Sequence, residues 1–82
     1  MDPLEFCRQI MGEYEEQWTE AHGHQERHPL RVKMDLLEGL MDRLHAGEDF
    51  QLVLLEGCRG DDPLLFLLCE ELRPRWETQR VR

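Results

Sequence analysis

His22, His24 and His28 fall within seven residues of this 82-residue chain. A His-x-His pair with a third imidazole four residues on can offer nitrogen ligands to Zn, Ni or Cu, and a nearby Cys or Glu could complete such a set. The surrounding sequence argues the other way. His22-Gly23-His24-Gln25-Glu26-Arg27-His28-Pro29 reads as a polar connector between a glycine stop and a proline start, where histidine is simply well hydrated. Structural zinc sites usually draw on paired cysteines, and the chain has no Cys-x-x-Cys. No resident metal or other cofactor is expected. A metal-handling protein built on these three histidines ranks third among the readings below.

The three cysteines are an odd number without paired spacing. Cys7 and Cys69 sit at apolar positions, where a thiol behaves as a small hydrophobe. A nucleophilic cysteine wants a partner base and an electropositive setting; Cys58, expected in a turn between Gly57 and Arg59, is the only plausible candidate. The adhesion-type tripeptide Arg59-Gly60-Asp61 in the same turn reads as coincidence. The carboxylate pairs Glu15-Glu16, Asp61-Asp62 and Glu70-Glu71 are adjacent in sequence, and neighbours on a helix do not face each other. There is no serine and no glycine-rich phosphate loop. With so short a chain having to build a core first, no enzyme is expected.

Charge narrows the partners. Eighteen acids against ten basic residues give a net charge of −8, the wrong sign for DNA or an anionic membrane and the right one for a basic protein surface. Six acids between Asp2 and Glu20 face only Arg8, whereas Arg73, Arg75, Arg80 and Arg82 make the last ten residues basic. Met1-Asp2-Pro3-Leu4-Glu5 does not read as a secretion signal. No run approaches the ~20 apolar residues of a membrane span. The expected setting is a reducing cytoplasm with free thiols.

The elements that would position these groups are helical. Asp2-Pro3-Leu4-Glu5 has the residues of a helix start, with Asp2 placed to cap. Leu4, Cys7, Met11, Tyr14, Trp18 and Ala21 then recur at spacings of three and four, widened by Ile10, predicting a helix over 3–22. A second helix is predicted over 30–46 from Leu30, Met34, Leu37, Leu40, Met41 and Leu44, with Pro29 before it and Gly47 after it. Gly39 in its middle suggests a close helix–helix contact. Residues 49–57 fit a buried strand or a helix; with no second strand to pair with, helix is expected. A fourth helix is predicted over 63–72, stopped by Pro74, and 73–82 form a basic tail.

Thirteen of the twenty-three residues in 50–72 are apolar, six of them consecutive from Leu64 to Cys69. A helix apolar all round belongs inside something. The expectation is therefore one all-α domain over 1–82, two amphipathic helices packed around an apolar helical hairpin that either this chain wraps tightly or another chain closes, with a homodimer favoured. The favoured function is protein–protein interaction, as a regulator, adaptor, assembly factor or inhibitor, through Trp18, Phe50, Leu54, Phe66 and Leu67 with the acidic face Glu13, Glu16 and Glu20. In this reading an aspartate at Phe66 or Leu67 abolishes dimer and fold together. The rival is an anionic inhibitor from a phage or mobile element, imitating nucleic acid toward a host nucleic-acid enzyme or defence system.

Overall fold

The structure, a computed structural model, describes residues 2–81, with side chains up to Gln79. It has four helices and, among the described residues, no strand: α1 (Pro3–Glu20), α2 (His24–His45), α3 (Phe50–Arg59) and α4 (Pro63–Val81). The segment that composition left open between strand and helix is α3. Asp49 is its cap, with Oδ1 accepting from the Gln51 N–H at 2.8 Å. Asp62 does the same for α4, accepting from Leu64 N–H at 3.0 Å and Leu65 N–H at 3.3 Å. Asp2, which opens the same Asp-Pro-Leu motif at α1, makes no such side-chain bond.

Two boundaries differ from the pattern by more than two residues, and both involve proline. α2 begins at His24, six residues earlier than expected, so His24 and His28 are in helix and only His22 and Gly23 of that stretch remain connector. Gly23 turns the chain at φ +82°, and the Glu26 carboxylate accepts the His22 N–H at 2.7 Å, holding the entry to the helix. Pro29 lies in the second turn, where the carbonyl that loses its donor belongs to exposed Gln25 and can turn to water.

α4 likewise runs through Pro74 instead of ending near Leu72, and most of the presumed tail is helical. Arg82 lies outside the described residues. Trp76 supplies the reason. It is buried edge-on against Phe6 (centroids 5.3 Å apart) and Phe50 (5.1 Å). Burying an aromatic of ~150–250 Å² at ~25 cal/mol per Å² is worth at most about 4–6 kcal/mol, against ~3 kcal/mol for a proline inside a helix. Burial wins.

α1 packs on α2 and α3 on α4, and α2 joins the two hairpins through α4. The core holds Phe6, Cys7, Ile10 and Tyr14 from α1, Leu37 and Leu40 from α2, Phe50, Val53 and Leu54 from α3, and Leu68, Cys69, Leu72 and Trp76 from α4. The buried face of α1 is thus rotated from the expected stripe: Phe6 is inside, while Leu4, Met11 and Trp18 are half-buried. The long apolar run is not enclosed either. Leu68 and Cys69 point inward, but Leu64, Phe66 and Leu67 are 52%, 39% and 60% exposed.

The glycine that permits close approach is Gly57, not Gly39. A Cβ on Gly57 would overlap the Cys69 Sγ and lie 3.3 Å from the Cys69 Cβ, whereas one on Gly39 meets nothing within 4 Å. The two glycines should therefore respond oppositely to alanine in urea unfolding. Gly39→Ala should stabilise by up to ~1 kcal/mol through helix propensity. Gly57→Ala should destabilise by about 1–3 kcal/mol through overpacking, and much of that loss should vanish in a Cys69→Ala background. Equal responses would show that α3 and α4 do not cross at Gly57.

Candidate functional site

The histidines do not converge. His24 and His28, one turn apart on α2, stack with ring centroids 5.3 Å apart, while the His22 main chain is engaged by Glu26. Among the described residues no three His, Cys, Asp or Glu side chains are grouped so as to hold a metal ion.

Two of the three thiols are buried in the core. Burial pushes Cys7 up to about 12, with Asp2 adding to the effect, and pushes Cys69 up to about 11, so both stay protonated. Cys58 lies in the last turn of α3 and not in the following loop. It is half-buried, and its Sγ accepts a long contact from Arg73 Nη1 at 3.9 Å.

Several acids are committed to holding the helices together. Glu13 receives two parallel bonds from Arg75 (3.0 and 2.6 Å), tying α1 to the part of α4 beyond Pro74. Hydrogen bonding to Arg75 holds the Glu13 carboxyl below its ordinary value. Beside it, the Tyr14 hydroxyl donates to Glu71 Oε2 at 3.3 Å, and Lys33 reaches the same oxygen at 3.4 Å. Burial and then the Glu71 charge push the phenol up, so it remains a donor. Arg43 at the end of α2 binds Glu48 (2.6 Å) and Glu56 (2.5 Å), fixing the α2–α3 loop against α3.

Among the surfaces left once these pairs are set aside, two contain residues expected to make contacts. The first is the opening of α4. Pro63, Leu64, Phe66 and Leu67 are all exposed, and they are linked by i,i+3 and i,i+4 relations, so they form one continuous patch on the helix. Exposed Asp61, Asp62 and Glu70 border it in sequence. Leu52, 59% exposed, stands on the outer side of α3. The second surface is a groove between α1 and α2, lined by Glu15, Trp18 and Thr19 on one side and Arg31, Met34, Asp35 and Glu38 on the other.

The expected contact residues are thus divided. Phe66 and Leu67 lie in the patch and half-buried Trp18 lies in the groove. Glu16 and Glu20 are exposed on α1, and Glu13 is held by Arg75. Phe50 and Leu54 are in the core and present no surface in this structure. Sequence reasoning missed Leu64, which flanks Leu67, and the acids Asp35 and Glu38 of the groove. Their signal was position: the hairpin turn at Gly23 brings the end of α1 alongside the first half of α2.

The chain matches no protein-family model, no curated protein and no solved structure.

The Glu13–Arg75 geometry sets an acid response. Because the folded carboxyl lies below its unfolded value of ~4.3, its contribution is complete above that value and is lost as pH falls through the folded one. Glu48, lowered by its bonds to Arg43, acts in the same direction. Denaturant midpoints at pH 7 and pH 3 should differ less in Arg75→Gln than in the parent chain. An identical pH dependence would show that the α1–α4 pair adds nothing to the fold.

Proposed function

We propose that the protein acts by binding another protein, as a regulator, adaptor, assembly factor or inhibitor, and not by catalysis. The observation that carries this reading is the patch Pro63, Leu64, Phe66 and Leu67. Leu68, Cys69 and Leu72 already fill the inner side of α4, so the fold does not need the outer residues to be apolar. Isolated exposed leucines are ordinary on protein surfaces, whereas continuous patches mark interaction sites.

The border of the patch selects the partner. Asp61, Asp62 and Glu70 are acidic, and the chain as a whole carries −8. A second copy related by a twofold axis would bring like-charged rims together, whereas a foreign surface with an apolar centre and a Lys/Arg border would be attracted. The occupant is taken to be such a protein, met in the cytoplasm, with the homodimer as the alternative. No described helix is long and apolar enough to cross a membrane. The nucleic-acid-mimic reading retains exposed Glu15, Glu16 and Glu20, but Glu13 is paired with Arg75, which thins the anionic row it relies on.

The test is a photo-crosslinking amino acid at position 67 in the source cell, with a second chain carrying it at exposed Gln9 as control. One adduct of defined mass is expected at position 67 only, lost on Leu64→Asp. That substitution is at the surface and should alter folding stability by no more than about 0.5 kcal/mol. An adduct of twice the chain mass would replace the foreign partner by a second copy. No adduct above the Gln9 control would sink the proposal.

A further inference from the structure

The groove between α1 and α2 shares no residue with the α4 patch. Its floor is Trp18 and Met34, both half-buried, side-chain types that adapt to and predominate in protein interfaces. Arg27 places its guanidinium 5.3 Å from the centre of the Trp18 ring, so a cation of this chain already covers part of that ring.

Its walls carry three acids and one base. Arg31 pairs with Asp35 at 3.4 Å. Glu15 on the α1 wall and Glu38 on the α2 wall form no ion pair with any described residue, unlike Glu13, Glu48, Glu56 and Glu71. An apolar floor therefore lies between two uncommitted carboxylates. Along α2 the wall from Arg31 to Glu38 spans seven residues, about 10.5 Å or two helical turns. That is the contact length of a helix anchored at i, i+3 or i+4, and i+7. The sign of the groove's charge rejects a phosphate backbone.

We propose that this groove is a second docking surface, for an amphipathic helix of a partner protein that lays apolar side chains on Trp18 and Met34 and flanks them with Lys or Arg opposite Glu15 and Glu38. Association is salt-sensitive because the flanking pairs remain at the water boundary.

The probe is a capped synthetic peptide of about 16 residues built from Leu, Ala, Lys and Arg, with apolar residues at helical spacing. It is titrated into the full-length, isotopically labelled chain and followed by NMR. Saturable shifts are expected at the Trp18 indole N–H and the Met34 methyl. Glu15→Lys with Glu38→Lys should weaken binding at least about tenfold, while the control Glu16→Lys with Glu20→Lys, which changes net charge equally, should change it less than about twofold. Leu67→Asp should bind the peptide like the parent chain, which separates this surface from the α4 patch. Equal losses in the two charge-reversed variants would reduce the effect to bulk attraction and overturn the proposal. So would shifts centred on Leu64 and Leu67, or no saturation at millimolar peptide.

Discussion

Phe6, Phe50 and Trp76 meet as tilted and edge-on pairs with ring centroids 5.1–5.9 Å apart. They come from three helices, α1, α3 and α4, and each lies near an end of its helix or of the chain. Edge-to-face aromatic pairs add ~0.5–1.5 kcal/mol beyond the area they bury, which matters in a chain of this size. Trp76 is the one buried side chain described beyond Pro74, and its burial is the largest contribution offsetting the proline in α4. Without the segment after Pro74 Arg75 could not reach Glu13. The cluster therefore fixes how the start of α1 and the end of α4 close the bundle, and the polar links around it follow.

Those links divide the acidic surplus into two populations. Glu13, Glu48, Glu56 and Glu71 are paired across elements. Exposed ion pairs are singly worth little, ~0–1 kcal/mol, but they specify which helix faces meet. The acids left over lie elsewhere: Glu16 and Glu20 on α1, Glu15 and Glu38 along the groove, Asp61, Asp62 and Glu70 around the α4 patch. A net charge of −8 says only that the surface repels anions. The division by structure shows where that repulsion is unopposed and where it adjoins apolar surface.

The helical class and the number of elements were legible because four apolar segments are separated by glycine, proline and aspartate. Helix ends at Pro29 and Pro74 were not. Local rules treat proline as a boundary, and both positions are overridden by interactions that sequence spacing does not encode. For Pro74 it is the burial of Trp76 against rings 26 and 70 residues away; for Pro29 it is a solvent-facing carbonyl and the Glu26–His22 contact. Phe6 escaped the predicted stripe for a related reason. A three-four repeat through Leu4 and Cys7 is a valid helix face, and only the position of Phe50 and Trp76 selects the neighbouring one. Phe50 and Leu54 were legible as apolar, but apolarity alone cannot separate a core residue from a contact residue. The patch and the groove were half visible, through Phe66, Leu67 and Trp18.

Size explains why so apolar a helix is left partly bare. The Cα radius of gyration is 12.8 Å, close to the ~12 Å expected of a chain this long, so the protein has no spare length with which to wrap α4. Two other helices and a ten-residue α3 can cover one side of a nineteen-residue helix and no more. Gly57 makes that one-sided contact close, since the Cys69 thiol occupies the space of a missing Cβ. Tight packing on the inner side and an uncovered outer side are thus consequences of the same shortage of chain. An all-polar outer side would have satisfied the fold equally well, and the residues actually present there are the ones that folding does not explain.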